Sequence, residues 1–317
     1  MSSKHLVDPE LLSLLETFPP MTLTTEALPG VREAMRGMLP PLAPAPSGMA
    51  VDELSIPASE GHPLRVLVYR PTGRAAPVPA VLDIHGGGYV VGAPEMDDAR
   101  NRHLCATLGC AIVSVDYRLA PEAPHPGPVE DCYAALAWMH REGAALGLDP
   151  ARIAVMGASA GGGLAAALAL WARDRGEVPL VGQGLMVPML DDRTVVRNAR
   201  DPHPYAGEFI WTQDTNHFGW SSLLGCEPGS PGVSPYAAAA RAEDLAGLPP
   251  TLITTGALDL FAEENMEYAR RLMRAGVATE LHVYPGAFHG FQMNPDARVT
   301  RGHDRDVDDA LRRMLGL

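Results

Sequence analysis

The 317-residue sequence is short of several things, and each shortage removes a class of function. Its four cysteines, Cys105, Cys110, Cys132 and Cys226, form no CxxC pair and no zinc-type spacing. They read as reduced core thiols rather than disulfides. Positive charge is scarce: 25 Lys and Arg face 38 Asp and Glu, a net charge of −13. A nucleic-acid partner wants a basic stripe, so that class is disfavoured, and an anionic membrane surface less strongly so. No window reaches the ~18 uninterrupted apolar residues of a membrane span. The opening MSSKHLVDPELLSLLE has one lysine and no long apolar core, unlike a signal peptide. The expectation is a cytoplasmic protein with no membrane span and no nucleic-acid partner. Hydrophobic residues at 46% suffice for a large core.

What is present is an alternation of strand and helix signals. Short Val-, Ile- and Leu-rich runs occur at 64–70, 80–85, 111–116, 152–157, 184–188, 251–256 and 280–285. Several are nearly continuously apolar, as strands covered on both faces must be. Helical patterns fill 129–146, 160–175, 262–275 and 304–315. The alternation predicts an α/β fold with a mostly parallel central sheet flanked by helices. Two regions stand apart. Residues 1–48 hold the helix-like LLSLLETF and VREAMRGML and end in PPLAPAPSG, a segment packed separately or mobile behind a stiff connector. Residues of about 191–225 interrupt the pattern with polar, aromatic and proline residues.

The run VMGASAGGGLAAALAL from Val155 carries Gly157-Ala158-Ser159-Ala160-Gly161 between a strand and a helix. In an open parallel sheet, sites gather at the carboxyl ends of strands, the setting a Gly-x-Ser-x-Gly elbow needs. No Lys-Ser/Thr follows the glycines and no GxGxxG spacing is present, which disfavours a phosphate loop. A serine hydroxyl needs a base, and the base an orienting carboxylate. His289 in YPGAFHGFQ follows one strand; Asp259 in TTGALDLFAEEN follows another, with Glu263 and Glu264 as rivals in a helical first turn. The chain order Ser159, Asp259, His289 is that of α/β-hydrolases. His85-Gly86-Gly87-Gly88 ends a further strand, where bare backbone lets peptide N–H groups face a substrate oxygen.

HGGG (85–88), DYRLAPE (116–122), GASAGG (157–162), the LDLF aspartate and FHGF (288–291) resemble the hormone-sensitive-lipase-like bacterial carboxylesterases, most of all the heroin-esterase-like members. The resemblance runs from about residue 55 to the C-terminus. It implies an α/β-hydrolase sheet of eight strands, residues 49–317, with a helical cap assembled from 1–48 and the 191–225 insertion. It implies Ser159 as nucleophile, His289 as base then acid, Asp259 as its orienter, and oxyanion donors at the amides of Gly87, Gly88 and Ala160. Arg118 and Glu122 would lie near the site without entering the chemistry. Homodimers through edge strands and C-terminal helices are also a habit of the family. Two positions depart from its usual pattern: Ala158 stands in place of a polar residue and Leu260 in place of proline.

The reading is therefore a serine hydrolase cutting short- to medium-chain acyl esters, with no metal and no organic cofactor. An amidase or lactonase on the same triad, or a non-catalytic ligand-binding homologue, are the alternatives. Phe209, Trp211, Phe218 and Trp220 in the insertion, and Tyr89 after the glycines, are candidates for walls of the substrate pocket or for the core face of a cap helix.

Overall fold

The structure is a computed structural model describing residues 2–18, 22–39, 41–58, 61–73, 77–195 and 203–317. Residues 196–202 of the insertion expected at 191–225 lie outside the described residues. Among those described, eight strands form one sheet: β1 Met49–Pro57, β2 Pro63–Pro71, β3 Val78–Ile84, β4 Ala111–Val115, β5 Leu148–Ala158, β6 Gly182–Met186, β7 Thr251–Gly256 and β8 Thr279–Tyr284. The spatial order is β1-β2-β4-β3-β5-β6-β7-β8. Strand β2 pairs antiparallel with both β1 and β4, and every later pairing is parallel.

The helices are α1 Leu12–Thr17, α2 Leu28–Met38, α3 Asp98–Leu108, α4 Gly127–Glu142, α5 Ala160–Arg175, α6 Gln213–Leu224, α7 Ala262–Arg274 and α8 Arg298–Leu315. Strand side chains alternate between two cores, as a period of two demands. Val66, Val68, Leu82, Ile84, Val113, Ile153 and Val155 face the core shared with α4, α5 and α7. Leu67, Tyr69, Val81, Ile112, Ala154 and Met156 face the one shared with α3 and α8. Helix α8 buries Thr300, His303, Val307, Ala310, Leu311 and Leu315, the three-and-four spacing of a single face. Helix α5, Ala-rich and buried along most of its length, packs closely behind β5.

Two elements lie outside the strand and helix patterns read from the sequence. Strand β1 is an edge strand with Asp52 and Glu53 at its middle, so it lacks a continuous apolar run. Helix α3 buries only Asn101, Leu104, Cys105 and Leu108 of eleven residues, too narrow a stripe to signal itself. Cys105, Cys110 and Cys132 are buried as expected, whereas Cys226 is exposed beyond the end of α6, so it is not a core thiol. Among the described residues no helix is long and apolar enough to cross a membrane.

Near the carboxyl end of β3 lies a buried polar cluster. Asp83 of β3 accepts hydrogen bonds from Arg100 (2.6 Å), Asn101 (2.8 Å) and Ser114 (2.9 Å). Asp97 sits 3.2 Å from the same Arg100 guanidinium. Burial pushes its carboxyl up to about 7, opposed by Arg100 and reinforced by the like charge of Asp83. The folded protein thus holds this proton more tightly than the unfolded chain does. The stabilisation it represents is complete below the unfolded carboxyl range, about pH 4, and drains away as the pH climbs through the folded value. Removing the charge with Asp97→Asn is expected to raise the melting temperature relative to the parent by an increment that grows from about pH 5 to about pH 8. Thermal melts at both pH values check this; a gap that shrinks with rising pH contradicts it.

Candidate active site

The carboxyl ends of β3, β5, β7 and β8 converge on one point. Ser159 follows β5 with φ 56° and ψ −121°, a conformation that non-glycine residues rarely adopt. Its N–H donates to the Met186 carbonyl at 2.8 Å, and its own carbonyl accepts from Met189 at 3.0 Å and Gly163 at 3.0 Å. The glycines two before and two after make the turn possible. A Cβ on Gly157 would lie 2.3 Å from the Gly161 carbonyl oxygen, and one on Gly161 would lie 2.0 Å from that of Ile84. The N-terminus of α5, with its partial positive charge, therefore begins directly behind the serine hydroxyl.

His289, in the loop after β8, places Nε2 2.9 Å from Ser159 Oγ and Nδ1 2.8 Å from Asp259 Oδ2. The carboxylate can only accept, so Nδ1 carries the proton and Nε2 is left as an acceptor for the serine hydroxyl. Asp259 is fully buried, and its second oxygen accepts from the Phe261 N–H at 2.9 Å. That bond pins the carboxylate; the N-cap position of α7 is Phe261 rather than Asp259. Phe261 meets the imidazole edge-on at 5.1 Å between ring centres, and Trp211 lies 6.1 Å away. Ser159 and His289 are only 9% and 7% exposed, so the relay works in a largely water-excluded setting.

After β3, Gly87 (φ 115°) and Gly88 (φ 59°) turn the chain back under the site. A Cβ on Gly88 would lie 2.1 Å from the Trp211 ring. The amides of Gly87, Gly88 and Ala160 donate to no acceptor among the described residues. His85 anchors this loop: its Nδ1–H donates to the Gly86 carbonyl at 2.8 Å, and its ring stacks on Tyr117 at 4.3 Å. The Tyr117 hydroxyl donates to the His85 carbonyl at 2.9 Å. Burial lowers the His85 imidazole below its ordinary range and keeps it neutral.

The remaining candidates separate. Trp211 is 5% exposed, and its indole N–H donates to Asn216 at 3.1 Å. Phe209 meets Phe288, the neighbour of His289, at 5.6 Å, and Phe218 is part-buried against the main core. Tyr89 is fully buried with its hydroxyl donating to the Met189 carbonyl at 3.0 Å, and Trp220 packs on it at 5.3 Å. Arg118 pairs with buried Asp131, and Glu122 with Arg32 of α2. Ala158 packs in the second core; Leu260 is buried against Gly207 of the insertion. Glu264, a rival of Asp259 for the orienting role, instead accepts hydrogen bonds from Leu190, Asp191 and Thr194.

A serine, a histidine and an aspartate at three strand ends, beside an elbow on a mostly parallel sheet, define an α/β-hydrolase. The family model described as alpha/beta hydrolase fold matches residues 81–293, and the chain belongs to that family, in its hormone-sensitive-lipase-like branch. Carboxylesterase NlhH of Mycobacterium tuberculosis is 34% identical over 291 residues, 90% of this chain and 88% of that protein. An arylesterase of Saccharolobus solfataricus is 30% identical over 91% of this chain and 93% of its own length. Among solved structures, the bacterial heroin esterase superposes with a TM-score of 0.92 at 40% identity, covering 99% of each chain.

The close approach at Gly161 is directly testable. Gly161→Ala forces the start of α5 away from the end of β3, and is expected to cost about 3 kcal/mol or more of folding stability. Urea denaturation measures it; an unmoved midpoint means that the contact yields without cost.

Proposed function

We propose that Ser159, His289 and Asp259 of this carboxylic ester hydrolase form its nucleophile, base and orienter, acting on short- to medium-chain acyl esters through an acyl-enzyme. The observation that supports this reading best is the continuous relay from Asp259 Oδ2 through both imidazole nitrogens to Ser159 Oγ, at 2.8 and 2.9 Å. In the first half-reaction Ser159 Oγ attacks the carbonyl carbon while its proton passes to His289 Nε2. The carbonyl oxygen becomes an oxyanion held by the amides of Gly87, Gly88 and Ala160, each such donor being worth about 3 kcal/mol. Collapse of this intermediate breaks the ester C–O bond, and the leaving oxygen takes the proton from Nε2 and departs as the alcohol. Water then attacks the acyl carbon, giving a proton to Nε2; the second collapse returns that proton to Ser159 Oγ and frees the acid.

The cap belongs to the same proposal: it comprises the N-terminal segment and the described part of the insertion. Val7, Leu11 and Leu14 share one apolar cluster with Phe209, Ile210 and Phe288, and Ser2 and Ser3 donate to Glu208. That packing supports Trp211 and Phe209 as pocket walls close to the base, with Phe218 behind them and Tyr89 supporting from below. A pocket roofed so closely favours short acyl groups. We also propose a homodimer formed across β8, which ends the sheet and leaves Val283 42% exposed.

Ser159→Ala is expected to lower kcat for p-nitrophenyl butyrate about 10⁶-fold without unfolding the protein. With the parent enzyme, acetate and butyrate esters are expected to turn over faster than palmitate. Substantial turnover by the alanine variant, or a palmitate preference, sinks the corresponding part of the proposal. Light scattering on a size-exclusion column should give twice the chain mass of 33.7 kDa; the mass of one chain rejects the dimer.

A further inference from the structure

Glu264 lies in the first turn of α7, five positions beyond Asp259, yet it points its hydrogen bonds away from the imidazole. Its Oε1 accepts from two successive amides, Leu190 at 2.7 Å and Asp191 at 3.2 Å. Its Oε2 accepts from the Thr194 hydroxyl. All three donors belong to the segment that leaves β6, the same segment that grips the elbow. Met186, the last residue of β6, accepts from the Ser159 N–H, and Met189 in the segment itself donates to the Ser159 carbonyl. The Met189 carbonyl also receives the hydroxyl of Tyr89, the residue next to Gly88.

This segment has no regular structure to hold it between β6 and Asp192. It carries a strained residue, Val187 at φ 43°, a value at which a β-branched side chain is an outlier. Strain of this kind persists only when neighbouring contacts fix it. One fixing contact is the Val187 N–H to the Thr254 carbonyl of β7, at 2.7 Å. Glu264 supplies the fixing contacts at the other end. Burial pushes its carboxyl well above the ordinary glutamate range, against the hydrogen bonds from Thr194 and Leu190. An amide side chain of the same shape keeps one oxygen to accept from the Leu190 and Asp191 N–H groups.

We propose that Glu264 is a positioning residue: by holding the Leu190 and Asp191 amides it sets Ser159 and the Gly87–Gly88 loop in register with the Asp259–His289 pair. The inference rests on Ser159 being the nucleophile. Both bodies aligned by this contact, the elbow with its amide loop and the strand-end loop carrying the acid, must be in register when charge develops on the substrate oxygen. Misplacement therefore falls on the chemical step more than on ground-state binding.

The test is a set of variants assayed on p-nitrophenyl butyrate, with a melting curve for each. Glu264→Leu fills the volume but accepts nothing; kcat is expected to fall about 10- to 100-fold, the scale set by an ångström of misplacement. KM should stay within about 3-fold, the signature of a loss confined to the transition state. Glu264→Gln keeps an oxygen for Leu190 and Asp191 and should restore kcat to within about 3-fold of the parent. An unchanged kcat in the leucine variant, an effect on KM alone, or a glutamine variant as slow as leucine overturns the proposal. If the leucine variant does not fold, Thr194→Val decides, with kcat expected to drop a few-fold and an unchanged value overturning it. Ser159→Ala is assayed beside them: turnover there rejects the nucleophile assignment itself, whatever the Glu264 variants do.

Discussion

The backbone of Ser159 is the constraint from which the site is built. A non-glycine residue at φ 56° costs about 1–3 kcal/mol and persists only where its surroundings over-determine it. Here they do. Its N–H is engaged by the last residue of β6 and its carbonyl by the segment that follows, and its carbonyl also starts the hydrogen-bond ladder of α5. The turn puts the hydroxyl at the tip of a strand, with helix amides behind it and the imidazole in front. A relaxed serine at that position would lie along the sheet and meet neither.

The loop after β3 meets a complementary demand. In the proposed role its amides must stay unpaired, yet unpaired buried N–H groups are costly and a loose loop would turn them elsewhere. The neighbourhood holds the loop by groups other than those amides. Stacking on Tyr117 and a hydrogen bond to the Gly86 carbonyl fix the His85 ring, and the Tyr117 hydroxyl holds the His85 carbonyl. Arg32 of α2 donates to the carbonyl of Val90, two residues past Gly88, and to that of Ala120 in the segment after β4. The N-terminal segment is thus bound to the loop after β3 as well as to the insertion.

Much of this was legible beforehand because short motifs at strand ends are dense in information. GASAGG, FHGF and the LDLF aspartate name three residues that are far apart in the chain and meet within hydrogen-bond distance. Parallel strands were legible because both their faces are buried. Strand β1 and helix α3 were not, since an edge strand and a thinly buried helix owe their form to the neighbours they pair with. Glu264 was read only as a first-turn residue, for its partners arise from a segment some seventy positions earlier with no pattern of its own. Leu260 shows the same limit: a departure at one turn is filled by contact with Gly207, which no local spacing indicates.

The division of labour between sheet and insertion has a consequence for how the protein can change. The groups proposed to react are fixed to strand ends by backbone hydrogen bonds and burial, whereas Phe209 and Trp211 come from one excursion of chain between β6 and β7. Over 207–224 that excursion meets the rest of the chain through side chains, with Leu260 against Gly207, Ser2 and Ser3 on Glu208 and the Trp211 ring on Gly88, and through backbone hydrogen bonds from Gly207 N–H to the Leu258 carbonyl and from His125 N–H to the Leu223 carbonyl. Side-chain contacts can be redrawn one at a time without moving the peptide planes of the elbow. Under the roles proposed above, selection, in nature or in a laboratory library, has two separate dials: residues 207–218 for which molecule enters, and residues 186–194 for how fast it is cut.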